Sequence, residues 1–172
     1  TGDNNLLLGF EAGIAGSPGG NINSENNHIV LGDENITEAN IQVDWTVASD
    51  ERDKTDFTDL DIGLDFVKQL APVTYKWDKR SKYIDKNDPD VDLDQVEHDG
   101  THKEDWLDIG FKAQEVEKLE SAVGYNIADK TNLTTTITPD GKQYGIKYSK
   151  FVPILVRAIQ EISAEVEQLK SK

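Results

Sequence analysis

The chain has 172 residues, of which 33 are acidic and 18 are Lys or Arg, giving a formal net charge of −15. This charge repels phosphate backbones and anionic lipid, so nucleic acid and membrane surfaces are not expected as partners. The absence of cysteine excludes disulfides and thiolate sites. No apolar run reaches the roughly 18 residues of a membrane span, so membrane insertion is not expected either.

The first 48 residues differ in composition from the rest of the chain. They carry seven acidic residues and no Lys or Arg, whereas residues 49–172 carry the remaining acids and all 18 bases. A change of this kind indicates a domain boundary, which we place near Ser49.

Residues 1–48 are rich in Gly and Asn and contain a partial repeat, NNLLLG at Asn4–Gly9 and NNHIVLG at Asn26–Gly32. Repeats about 20 residues apart are typical of solenoid-like arrays, in which each short strand buries its apolar side by stacking on a neighbour. Closely spaced glycines between the copies predict turns, and the alternating pattern of Ile41–Val47 predicts a last strand. The alternative is a flexible linker.

Residues 49–172 indicate a mixture of helices and strands. Apolar residues at helical spacing predict a helix over residues 60–70, which Pro72 ends before a short strand at 73–77. Residues 78–106 are polar and mostly acidic, which predicts a long surface loop. Residues 109–119 predict a strand end that runs into a helix, and residues 133–148 predict a β-hairpin. The predicted fold class is therefore α+β.

The clearest periodicity predicts a helix over about residues 150–170, with Ser149 as its N-cap. Its apolar residues recur at alternating steps of four and three, the spacing of heptad core positions: Leu155, Ile159, Ile162, Val166 and Leu169. We refer to these five residues as the stripe. Such a stripe favours a coiled coil between copies of the chain, although mixed Ile, Val and Leu leaves their number open. The alternative is packing against the chain's own body.

Ser49 and Lys54 form a candidate catalytic pair at the boundary, because a lysine that has lost its proton can activate a serine hydroxyl. The alternative is that Ser49 caps a helix with Asp50, Glu51 and Asp53 in its first turn. Acidic neighbours favour the protonated form of a lysine, so catalysis by Lys54 requires its burial in an assembled structure.

Four blocks in order along residues 49–172 resemble the endosialidase-type intramolecular chaperone, the C-terminal domain of many bacteriophage tail fibres and tailspikes. They are SDERDK at Ser49–Lys54, LDFVKQLAPVTYKWD at Leu64–Asp78, GFKAQEVEKL at Gly110–Leu119 and YSKFVPILVRAIQEI at Tyr148–Ile162. The resemblance implies a homotrimer that assists folding of the fibre shaft upstream and then cuts itself.

The resemblance also implies the residues of the self-cleaving site. It makes Ser49 and Lys54 the catalytic pair of a serine endopeptidase that acts once on its own chain, without a cofactor. The cut falls between Ala48 and Ser49. Asp50 then either orients Lys54 or holds the local turn.

On this resemblance, residues 1–48 are the β-solenoid-like or triple β end of a trimeric shaft. Residues 49–172 are the chaperone domain, with a hairpin arm and a coiled-coil helix. The shaft is expected in the virion tail fibre, where it serves host attachment, and the released chaperone in the host cytoplasm. The alternative is a permanently attached trimeric tip, for assembly or receptor binding, that does not cut.

Two patterns of the metal-binding type are weak. Aspartates alternate as in a calcium loop at Asp88, Asp90, Asp92 and Asp94. However, Leu93 stands where an EF-hand needs Gly, and Asp99 stands where it needs Glu. His98 and His102 lie four residues apart without a third ligand. We expect no metal and a solvated acidic loop over residues 88–99. The tryptophans are expected to anchor a core or an interface: Trp45, Trp77 and Trp106.

Overall fold

The computed structural model describes residues 2–86, 88 and 91–172, so Asp90 of the calcium pattern lies outside the described residues. The described residues form three α-helices and three two-stranded sheets, none of which closes into a barrel. The predicted α+β class is confirmed. Among the described helices, none is long and apolar enough to cross a bilayer.

The two copies of the repeat stack on each other. Strand β1 (Leu6–Leu8) pairs in parallel with β2 (Ile29–Leu31), and the first residue of one strand lies opposite the first residue of the other. The side-chain amide of Asn4 donates a hydrogen bond to that of Asn27, 23 residues later, at 2.8 Å. Equivalent positions of the two copies therefore lie side by side, as the repeat predicts.

The predicted strand at Ile41–Val47 is wrong, since these residues adopt no regular structure. Their apolar side chains are between 51% and 80% exposed: Ile41, Val43, Trp45 and Val47. Alternation favours a strand only where a neighbouring strand supplies hydrogen bonds and a surface to pack on. Every residue from 35 to 59 is exposed, and we refer to residues 35–59 as the linker.

The rest of the chain contains every helix and strand predicted there, with shifted ends. The elements in chain order are α1 (Leu64–Gln69), β3 (Val73–Tyr75), β4 (Asp108–Gly110), α2 (Ala113–Ala122), β5 (Thr135–Ile137), β6 (Tyr144–Ile146) and α3 (Phe151–Lys170). Strands β3 and β4 pair antiparallel, and β5 and β6 form the predicted hairpin. Helix α1 begins only at Leu64 because Gly63 has a non-helical backbone.

The core joins α1, α2 and the start of α3. It contains five buried side chains: Ile62, Phe66, Val116, Phe151 and Ile154. Burial of an aliphatic or aromatic side chain of this size contributes roughly 1.5–3 kcal/mol. The tryptophans lie outside this core and are 69%, 42% and 48% exposed: Trp45, Trp77 and Trp106. The expectation of core anchors is therefore wrong, and an interface role stays a prediction.

Helix α3 has one buried side and one free side. Phe151, Ile154 and Ala158 are buried against the body, and Glu161 accepts a hydrogen bond from the backbone N–H of Leu64 at 2.7 Å. The stripe remains between 41% and 70% exposed. Packing of the stripe against the chain's own body is thus excluded. The predicted cap is also wrong, because Ser149 lies in a preceding 3-10 turn and α3 has no side-chain cap.

Residues 78–106, which we call the insertion, are more buried than a solvated loop. Leu93 and Glu104 are only 4% and 8% exposed. Asp92 and Asp94 both pair with Lys142 of the hairpin, at 2.8 and 2.9 Å. The expectation of a solvated acidic loop is wrong in this respect, because a base distant in sequence neutralises the aspartates and ties the insertion to the hairpin.

Candidate active site

The backbone after Ser49 forms one 3-10 turn at Glu51–Asp53, capped by Asp50. The Asp50 carboxylate accepts hydrogen bonds from the backbone N–H of Arg52 at 2.9 Å and from its guanidinium at 2.6 Å. These bonds from Arg52 hold the pKa of Asp50 below its ordinary value. The cap is therefore Asp50 and not Ser49, and Asp50 holds the turn.

The turn brings Lys54 back to Ser49. The Nζ atom of Lys54 lies 2.7 Å from the Oγ atom of Ser49 and 3.0 Å from its carbonyl oxygen. This contact joins residues five positions apart, so it needs no distant element of the fold. The separation lies within the hydrogen-bond reach that a nucleophile and its base require.

Ala48, Ser49 and Lys54 are all exposed on the single chain. A protonated lysine donates hydrogen bonds and accepts none, so Lys54 can take the serine proton only after losing its own. Removal of water favours that loss. The single chain thus has the geometry of a nucleophile and base, and burial is the further condition that the chemistry requires.

A second charged cluster lies between residues 1–48 and the insertion. The carboxylates of Glu11, Asp33 and Glu34 approach within 4.8 Å of one another. The ammonium of Lys86 lies 2.7 Å from Glu34 and also contacts Glu11. Burial alone would lower the pKa of Lys86, but the hydrogen bonds to Glu11 and Glu34 outweigh burial and raise it. Lys86 therefore supplies the positive charge that these carboxylates need.

Both histidines of the insertion have rings close to that of Tyr83. The ring centroids of His98 and His102 are 5.8 and 4.7 Å from that of Tyr83, and His98 also lies 3.6 Å from Asp78. Both histidine rings therefore contact the same tyrosine.

Sequence reasoning missed Lys86 and its partners. Glu34 and Glu11 lie 52 and 75 residues away along the chain. No local pattern marks such a cluster, because it exists only once the insertion has folded against residues 11–34.

Residues 49–125 match the family model described as chaperone of endosialidase. The match begins at Ser49, the first residue of the candidate pair. Over this segment the chain is similar to the endosialidase chaperone family. The match spans somewhat less than half of the chain and ends before β5. No curated protein and no solved structure showed a significant match.

The match confirms the resemblance seen in the sequence. Similarity to this family supports a chaperone role, and the name of the family also suggests a peptidase. The family further connects the chain with phage tail proteins and with a fibre shaft.

Proposed function

We propose that the chain is an intramolecular chaperone that trimerises, sets the register of a tail-fibre shaft ending in residues 1–48, and then cuts itself between Ala48 and Ser49. The observation that carries this proposal is the 2.7 Å separation of Lys54 Nζ and Ser49 Oγ at the first residue of the family segment. Ser49 is the nucleophile and Lys54 the general base.

The reaction depends on the position of the nucleophile beside the bond that breaks. Ser49 Oγ attacks the carbonyl carbon of Ala48 through a five-membered ring, which avoids a bimolecular encounter. Neutral Lys54 takes the hydroxyl proton and gives it to the Ser49 nitrogen as the C–N bond breaks. Water then hydrolyses the resulting ester, leaving a carboxylate on Ala48 and a free amino group on Ser49.

The free side of α3 supports trimerisation. The stripe lies at heptad spacing and stays exposed on the single chain, and residues 162–170 are exposed throughout. A coiled coil at the C-terminus raises the local concentration of three chains. It thereby helps three shaft segments to find one register, a step that is slow when the contacts are distant in sequence. Closure of three chains would also supply the burial that Lys54 needs.

The hairpin supports a chaperone role toward the shaft. The carboxylate of Asp140 accepts a hydrogen bond from the backbone N–H of Asn21 at 3.1 Å. The side chain of Gln143 donates one to the carbonyl oxygen of Ser17 at 2.8 Å. Both contacts lie at the tip of the hairpin, which thus reaches the shaft segment as an arm.

The test is the mass and assembly state of freshly purified protein. Denaturing electrophoresis and mass spectrometry should show fragments 1–48 and 49–172 in the wild type. Ser49→Ala and Lys54→Met should each abolish the fragments while light scattering still reports a trimer. Lys68→Met is the matched control, because Lys68 pairs only with exposed Asp65 in its own helix among the described contacts, and it should cut normally. An intact wild-type trimer would contradict cleavage and favour the permanently attached tip.

A further inference from the structure

We infer that residues 1–48 stay bound to the chaperone domain after the backbone is cut, held by four side chains: Lys79, Lys86, Asp140 and Gln143. We call these four residues the clamp. The inference rests on the proposed function, because it concerns the fate of the two fragments once the bond is broken. It makes release a second step, separate from scission and governed by the clamp.

The ion pairs of Lys86 form a largely buried part of the clamp. The side chains of Lys86 and Glu34 are 13% and 6% exposed, and that of Glu11 is 27% exposed. Partly buried ion pairs are screened by salt much less than exposed ones. Removal of Lys86 would leave the two carboxylates, with Asp33 beside them, facing one another without a counter-charge.

Lys79 holds the same loop of the shaft segment. Its Nζ atom donates a hydrogen bond to the backbone carbonyl of Glu34 at 2.8 Å and pairs with Glu104 at 3.2 Å. The Glu104 carboxylate is buried and makes no hydrogen bond of ordinary geometry among the described residues, so it relies on the ammonium groups of Lys79 and Lys82. Glu104 therefore fixes Lys79 in the position from which it reaches the shaft.

The surface between the clamp and the shaft is closely fitted. Gly16 has a positive φ of 88°, and a Cβ atom on it would lie 2.4 Å from the Cβ atom of Ser81 in the insertion. Ser17, whose carbonyl accepts from Gln143, is fully buried. The contact is thus a packed surface as well as a set of polar bonds.

The insertion and the hairpin act as one body. Arg80 donates hydrogen bonds to the backbone carbonyls of Lys142, at 2.6 Å, and Leu93, at 2.9 Å. Lys142 in turn pairs with Asp92 and Asp94. The two parts that carry the clamp residues are therefore tied to each other independently of the shaft.

The position of the cut leaves these contacts intact. Residue pair 48–49 lies inside the exposed linker, whereas the clamp contacts residues 11–34, which precede the linker. Breaking the backbone in the linker removes neither an ion pair nor a buried side chain. The fragments consequently remain associated until the clamp opens.

The experiment compares native and denaturing behaviour of the full chain. Wild-type protein that shows two fragments on a denaturing gel should elute as one species in size exclusion at neutral pH. Lys86→Met should cut at the wild-type rate, yet its fragments should associate about a hundredfold more weakly and separate on the column. Lys68→Met removes an exposed lysine of the chaperone domain and should retain the fragments as the wild type does.

A second arm separates this inference from the proposed function. In Ser49→Ala protein, the recognition sequence of a specific protease is inserted after Asn40. Addition of that protease then cuts the linker without self-cleavage. Retention of residues 1–48 should again depend on Lys86. Gln143→Ala serves as a second clamp variant, and circular dichroism checks that each variant is folded. Absence of self-cutting would overturn the proposed function alone. Immediate separation of wild-type fragments, or full retention in both clamp variants, would overturn the clamp.

Discussion

Glu120 is fully buried, yet its carboxylate is satisfied by the base of the hairpin. Its Oε1 atom accepts hydrogen bonds from the backbone N–H and the hydroxyl of Thr134, both at 2.6 Å, and its Oε2 atom accepts one from the hydroxyl of Thr135 at 2.5 Å. A typical intramolecular hydrogen bond contributes about 0.5–1.5 kcal/mol to stability. Glu120 therefore fixes the arm to α2.

Glu120→Ala should lower the free energy of unfolding by about 3 kcal/mol, because it leaves buried donors of both threonines unpaired. The midpoint of urea unfolding measures the loss. Glu115→Ala, which removes an exposed carboxylate of the same helix paired with Lys112, should change it by no more than about 0.5 kcal/mol. Equal losses in the two variants would mean that the hydrogen bonds of Glu120 with Thr134 and Thr135 add no stability beyond that of an exposed carboxylate.

At the scale of single residues, sequence identified the contacts that close locally. Ser49 and Lys54 lie in one turn, so their pairing follows from a short motif. Sequence also left open whether Asp50 orients Lys54 or holds the turn, and the bonds with Arg52 place it in the turn. Glu120 and Lys86 depend on contacts between distant elements, which no motif records.

Helix α3 serves two surfaces at once. Ile154, which is 2% exposed, packs in the core, whereas Ile162 of the stripe is 44% exposed on the single chain. The periodicity of apolar residues predicted a helix, and the burial of each residue separates the side that packs in the core from the side that is exposed on the single chain.

Ile162→Asp should convert the assembled protein into folded monomers, because it places a charge in the stripe without touching the core. Light scattering measures the mass, and circular dichroism checks the helix content. Gln160→Asp introduces the same charge at an exposed position outside the stripe and should leave the assembly intact. If both variants remain oligomeric, the stripe is not the interface.

At the scale of elements, sequence predicted the amphipathic segments well and the isolated strand poorly. Helices α2 and α3 and the hairpin carry their own periodicity or turn residues, so their positions followed from local pattern. Ile41–Val47 has an alternating pattern but adopts no strand in the single chain. A strand depends on a partner, and that dependence is invisible in the segment itself.

At the scale of the whole molecule, the acidic excess is partly neutralised where distant segments meet. Hydrogen bonds from Lys142 lower the pKa of Asp92 and of Asp94, with Arg80 also acting on Asp94. The pKa of each carboxylate is then lower in the folded chain than in the unfolded chain. Such a group stabilises the fold at pH values above its pKa in the unfolded chain. This stabilisation is lost as the pH falls through its pKa in the folded chain.

The contact of the insertion with the hairpin should therefore weaken in acid. Below about pH 4, the unfolded value for aspartate, the urea midpoint of the wild type should fall as Asp92 and Asp94 take up protons. Lys142→Met should show a smaller fall between neutral and acidic pH, since it has already lost these pairs. Lys112→Met, which removes an exposed lysine of the pair with Glu115, should behave as the wild type does, and an equal fall in all three proteins would contradict the assignment.

The two copies of the repeat in residues 1–48 stack residue on residue, so each copy also constrains the composition of the other. Adjacent parallel strands lie about 4.8 Å apart, so each side chain of one copy has its counterpart as nearest neighbour. A carboxylate in place of both Asn4 and Asn27 would set two like charges against each other, while a change at one alone would break the amide pair. The residue that is tolerated at Asn4 thus depends on the residue at position 27, and the reverse holds for Asn27.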